Sequence, residues 1–311
     1  MALNNPAFSN PAFQDPKAVQ TYPGGRQAAS LTPPAAPTQS SAAQHAGTDA
    51  AAQAQLEGMY AAPAAGAIET DRMSVEDTVW KTLGLFAILV VGAVAGWIWT
   101  MAPVADTGQP TIMPWIIGGL VGFVLSMVVI FTSRKKIRPG LIFAYAAAEG
   151  LFVGGISAYF EMIWPGIVVQ ATLATLSVVG VTLALFASGK VRASAKATKI
   201  FLIAMVGYLV FSLINVVMMM FGAFSGPDSA GPFGIYSYEL FGWLPLGLVI
   251  GVVVVIMAAY SLVLDFDQIQ QGVRNGAPRQ YGWLGAFGIM VTVVWLYVEI
   301  LRILAILRGD N

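Results

Sequence analysis

Four carboxylates in this chain stand in or against apolar stretches where charge is costly. Asp265 and Asp267 fall in Leu264-Asp265-Phe266-Asp267-Gln268-Ile269, Glu299 in Leu296-Tyr297-Val298-Glu299-Ile300, and Glu149 in a run of small and apolar residues. An ionised carboxylate in hydrocarbon is rare and faces a polar interior or a partner. These residue types in this setting point to proton or cation chemistry inside a helix bundle. Glu149 lies roughly 15 Å in from Pro139 along a helix, near mid-bilayer. It reads either as a protonated group bonded to a neighbouring helix or as a path-lining group. Glu299 lies roughly 12 Å from the far end of its helix. Arg302 follows it at i+3, on the same face. The pair reads either as a local ion pair that carries both charges into the membrane or as a titratable station on a cation route. Asp265 closes an apolar run and so reads as an interfacial carboxylate, and Asp267 as a plainer interfacial charge.

The elements that position these groups are membrane helices. The chain has 311 residues, 57% hydrophobic and only 10% charged, against roughly 25% charged in soluble domains. Net charge is zero, which leaves no electrostatic footprint for nucleic acid. There is no cysteine, and the only histidine is His45. A spanning helix needs about 20 apolar residues. Seven stretches meet this: Thr82 to Met101, Ile112 to Phe131, Leu141 to Ile163, Ile167 to Ala187, Ile200 to Phe221, Phe241 to Leu264 and Trp283 to Leu307. The fold class expected is an all-α integral membrane protein. Ser74-Val75-Glu76-Asp77 has the form of a capping box that starts the first helix. Trp164-Pro165-Gly166 makes a tight turn between the third and fourth. Gly150, Gly154 and Gly155 allow close helix approach.

Arg134, Lys135, Lys136 and Arg138 follow span two, and Lys190, Arg192, Lys196 and Lys199 follow span four. Arg274 and Arg279 follow span six, and the other three loops hold no Lys or Arg, their charged residues being Asp106, Glu161, Asp228 and Glu239. Lys and Arg stay on the cytoplasmic side, so the N-terminus is expected inside and the C-terminus outside a plasma membrane. Residues 1–73 are rich in Ala, Pro and Gln, with no apolar run long enough for a core. They read as a disordered cytoplasmic tail. The tail opens with Asn5-Pro6-Ala7-Phe8 and Asn10-Pro11-Ala12-Phe13, a candidate partner motif, beside the lipid bilayer as the main partner.

Several chemistries are excluded. The last lysine is Lys199, so no Schiff-base lysine stands in the final helix. A zinc membrane protease would need His-Glu-x-x-His, and an ATP-driven pump a P-loop; neither motif is present. No enzyme activity and no cofactor are expected.

The motifs around the carboxylates resemble those of the Bax inhibitor-1 (transmembrane Bax inhibitor motif) family, with its bacterial YccA-like and YetJ-like members. Asp265 and Gln268 resemble an Asp and Gln near the end of that family's sixth helix. Leu296, Tyr297 and Glu299 resemble a Leu-Tyr-Leu-Asp-type motif in the seventh, with Arg308 near the end. Arg134-Lys135-Lys136, Gly140 and Tyr145 add to the likeness, which covers roughly residues 74 to 311 and leaves the tail outside. The resemblance implies six helices around a central seventh. It also implies a pH-sensitive calcium leak in which a carboxyl from helix six and one from helix seven share a proton and control opening. Carried over, these are Asp265 and Glu299, with Ca²⁺ passing near them. Two carboxyls in contact titrate as a unit. The resemblance makes Arg134 a candidate latch, and Glu149, Arg302 and Asp267 remain candidate path-lining or modulating residues. The chain departs from the pattern with Glu at 299, a charged residue at 302 and a longer connection through Asn275-Gly276-Ala277-Pro278. By depth, Asp265 and Glu299 stand about 18 Å apart. A non-conducting regulator of a membrane protease is the alternative reading. A proton-coupled transporter comes last, because seven spans do not divide into the paired repeats such proteins use.

Overall fold

A computed structural model describes residues 71–222 and 233–309. Seven helices in it are long and apolar enough to span a bilayer: α1 (Val75–Met101), α2 (Met113–Ser133), α3 (Pro139–Ile163), α4 (Ile167–Ala187), α5 (Ala195–Met220), α6 (Leu246–Arg274) and α7 (Gly282–Gly309). In lipid every backbone polar group needs an internal partner, which a helix supplies by itself. Ser74 caps α1 by accepting from the Asp77 N–H at 3.1 Å, as the capping box predicts. Pro139 at the first turn of α3 sits where its missing N–H costs nothing. Gly166, with φ +84°, turns α3 into α4.

The most buried span is α7, so it is the axis of the bundle. Around it lie two continuous clusters. One joins Leu85, Leu89, Tyr145, Leu284, Phe287 and Met290, and Tyr145 meets Phe287 edge to face at 4.9 Å. The other joins Phe160, Ile167, Leu262, Leu296 and Leu301. Helices α1 and α3 approach most closely. A Cβ added to Gly92 would lie 2.6 Å from the Ala147 carbonyl oxygen, and one on Gly154 would overlap the backbone of Ala93. This is the small-residue contact that membrane helices use in place of a hydrophobic drive. By contrast α5 buries only Thr198, Phe201 and Asn215. It is tied to the bundle by hydroxyl bonds, Thr198 to Tyr260 at 2.9 Å and Ser212 to Tyr236 at 2.8 Å.

Two boundaries differ from those read in the sequence. Span six was expected to run from Phe241 to Leu264, but α6 starts at Leu246 and continues to Arg274. Phe241 and Gly242 (φ +60° and +75°) instead lie in the three-residue turn of a short hairpin, in which β1 (Glu239–Leu240) pairs with β2 (Leu244–Pro245). The helix outlasts its apolar run because it becomes one-sided there: Gln268, Ile269 and Gly272 are buried. Asp265 is thereby moved from the expected helix end into the helix interior.

The folded unit also begins earlier than residue 74. Asp71, Arg72 and Met73, grouped with the tail by composition, dock on the connection between α6 and α7. The Met73 N–H donates to the Ala277 carbonyl at 2.7 Å and the Arg279 N–H to that of Asp71 at 2.9 Å. Met73 is fully buried. Beside it, Lys81 meets Asp77 at 2.5 Å and donates to the Arg279 carbonyl at 2.7 Å. Arg279 grips Asp77 Oδ1 through Nε at 3.0 Å and Nη2 at 2.8 Å. One carboxylate thus balances two cations where α1 meets the start of α7. Asp77→Ala leaves the Lys81 ammonium buried beside a second positive charge. We expect it to lower stability by about 1–3 kcal/mol, read from thermal unfolding in detergent. Asp77→Glu is expected to lose less. The twin Asn-Pro-Ala-Phe elements and His45 lie outside the described residues.

Candidate functional site

The seam between α6 and α7 carries the two carboxylates of interest. Asp265 is 1% exposed and Glu299 3%. Charges so deep are held only with partners, and each has its own. Thr292 of α7 donates to Asp265 Oδ2 at 2.7 Å, and Ser261, one turn earlier on α6, stands 3.4 Å from the Thr292 hydroxyl. Glu299 forms an ion pair with Arg302 and accepts from the Tyr208 hydroxyl of α5 at 3.0 Å. The Arg302 guanidinium lies over the Tyr236 ring, 3.8 Å from its centre, where the negative face of the ring favours it. Tyr236 is placed by the turn before β1, and that turn is pinned by Asn215. The Asn215 amide donates to the Phe233 carbonyl at 3.2 Å, and its oxygen accepts from the Ile235 N–H at 2.8 Å.

The two carboxylates are not neighbours. Thr292, which holds Asp265, precedes Glu299 by about 10 Å along α7. Glu299 also points the other way: its Oε1 would lie 3.5 Å from a Cβ on Gly251. Gly251 is about 21 Å along α6 from Asp265. A directly shared proton needs contact, so in this conformation the groups are two stations, although Asp265 lies inside its helix and not at the end where the depth count placed it. Between Asp265 and the end of α6 lies Gln268, 6% exposed. Among the described residues neither its amide nitrogen nor its oxygen has a hydrogen-bond partner. Buried polar groups are otherwise paired with protein or water, so this amide stands apart from the other polar groups of the seam.

This arrangement of buried carboxylates on the last two helices bears on the chain's relatives. A family model described as Bax inhibitor 1 like matches residues 5–309. The chain belongs to that family. The match begins inside the Ala/Pro-rich tail, earlier than the likeness read from the motifs, which left the tail outside. None of the curated proteins compared matches the chain.

The remaining candidates of this Bax inhibitor-1-like chain fall elsewhere. Glu149 is half-buried. Its carboxyl faces α2, with Oε2 placed 2.9 Å from a Cβ built on Gly122, and Tyr145 lies one turn away on the same helix. Arg134 is exposed at the C-cap of α2. Asp267 accepts from Gln271 at 2.8 Å, within its own helix. Arg308 fastens the far end of α7 to the turn between α3 and α4, donating to the Pro165 carbonyl at 2.9 Å and to Gln170 at 2.9 Å. Among the described residues no three or more His, Cys, Asp or Glu side chains gather as metal ligands do. Thr292, Tyr208 and Tyr236 were not singled out from the sequence. Hydroxyls in apolar spans carry no spacing signal that names their partners.

Proposed function

We propose that this Bax inhibitor-1-family protein is a pH-sensitive cation leak that passes Ca²⁺, gated at two separate carboxylates, Asp265 and Glu299. The observation that carries the reading is the placement of both, buried and held by different groups, Asp265 by Thr292 and Glu299 by Arg302 and Tyr208, at different depths of one helix seam. Calcium takes hard oxygen ligands, and carboxylate, hydroxyl and orphaned amide oxygens line this seam. Glu299 is the outer control. While ionised it holds Arg302, and the pair presents no net charge to an ion. Protonation removes the negative half of the pair and leaves the Arg302 charge against Tyr236 alone, so the seam's charge changes with pH. Asp265, held by Thr292, is the inner station, and Glu149, Arg134 and Asp267 stand outside the route. The protein acts without a cofactor and catalyses no reaction. The Lys and Arg distribution supports a cytoplasmic N-terminus, an outer C-terminus and residence in a plasma membrane.

Ca²⁺ flux in proteoliposomes, followed from acidic to neutral pH, tests this. Flux that depends on pH, with the dependence lost or displaced in Glu299→Gln, is the expected result. Unchanged flux and unchanged pH response in Glu299→Gln remove the assigned role.

A second reading draws on the docking of Asp71 to Met73 against the start of α7. A protein held by the tail would pull on the central helix, as in a non-conducting regulator of a membrane protease or another partner. Deleting residues 1–70 separates the two: intact flux with a lost partner assigns binding to the tail, and no flux in any preparation favours the regulator.

A further inference from the structure

A cavity of about 510 Å³ opens between α1 and α4. Its walls are Val90, Val94 and Ile98 of α1 and Val168 and Leu176 of α4, and its floor is Val153 of α3 with Val294 and Tyr297 of α7. That volume lies within the roughly 300–1,000 Å³ of small-molecule pockets. The α1 wall runs from Phe86 to Ile98, about 18 Å of helix, against roughly 15 Å for half of a bilayer's hydrocarbon core. The cavity thus has the length of one leaflet's chains. The Ser157 and Tyr297 hydroxyls bond each other at 2.6 Å. Thr172 and Thr175 each donate to a carbonyl of their own helix. With these four hydroxyls already paired, the lining offers a polar headgroup little to bind. The rim residues Val90, Val94 and Leu176 are exposed on the face that seven spanning helices turn to lipid, so the cavity is continuous with the lipid-facing surface.

We infer that this cavity is a site for the acyl chain of a membrane phospholipid, entered laterally between α1 and α4 and reaching the central helix at Tyr297. It is distinct from the carboxylate seam and does not depend on ion conduction. An apolar chain filling it replaces contacts that an empty, dry cavity forfeits.

The test uses the full chain in liposomes containing a phospholipid with a photoreactive group on its acyl chain, followed by mass spectrometry of labelled peptides. Labelling of the floor residues Val153, Val294 and Tyr297 is expected, together with that of the rim. Ala93→Phe and Val168→Trp, which fill the cavity from opposite walls, are expected to abolish floor labelling. Both should leave labelling of Val206 and Val210 on the lipid-facing side of α5 unchanged. Size-exclusion elution and melting of each variant report its folding, and two variants guard against the loss of one. Labelling confined to the rim, floor labelling unaffected in a folded variant, or floor labelling only by a free photoreactive fatty acid would each overturn the assignment.

Discussion

Replacing Arg302 with Met is expected to cost about 3–5 kcal/mol of stability, because it leaves the Glu299 carboxylate buried without its cation. Arg302 is itself largely enclosed, with 16% of its side chain exposed, so solvent cannot replace it. Glu299→Gln is expected to cost less, since Arg302 keeps the face of Tyr236 and the amide still accepts from Tyr208. The double variant Glu299→Leu with Arg302→Met removes both charges at similar volume. It should recover most of the loss, as replacement of buried pairs by apolar residues often does. Thermal unfolding in detergent reads all three. A single Arg302→Met variant that melts like the native protein would mean that the pair holds nothing together. The same variant should also change the pH response of the leak, because Glu299 then loses the cation it is paired with.

The second large effect is steric. Gly154→Val is expected to keep α1 and α3 from closing. A Cβ at that position would run into the backbone of Ala93, with the Ala93 carbonyl oxygen as its nearest atom. Overpacking a core usually costs about 1–3 kcal/mol because side chains shift aside. A carbonyl within a helix cannot shift alone, so the whole helix must move. Little folded protein should survive extraction, judged by the monodisperse fraction on size exclusion. Gly140→Ala is the control, since a Cβ there meets nothing within 4 Å, and it should change stability by no more than about 0.5 kcal/mol.

The seven spans were readable from hydropathy because lipid forces each segment to satisfy its own backbone. The glycine contacts of α3 were readable too: Gly150 and Gly154, one turn apart, meet α1, and Gly155 meets α2. The depth of Asp265 was not. The apolar run ends at Leu264, and hydropathy alone places a helix end there. The helix continues because its last turns bury one face against α7, and that face exists only once α7 is in place. The ion pair of Glu299 and Arg302 followed from their i,i+3 spacing. Tyr208 and Tyr236 are separated from Glu299 by most of a span or a loop, and only the fold brings them together. Asp71 to Met73 carry the composition of the tail, and their docking depends on the α6–α7 connection they pair with. The family match and the motif likeness agree on the helical region, and the match adds most of the tail.

The most direct measurement is Ca²⁺ flux against pH in proteoliposomes for the native chain, Asp265→Asn, Glu299→Gln and the double variant. Sites more than about 7–10 Å apart with no shared partner contribute independently. The account therefore predicts a pH-dependent leak in which the double variant shows the product of the two single effects. A double variant no different from either single one would mean that the two carboxyls work as one proton-sharing unit, and an absence of flux in the native protein would contradict the leak itself.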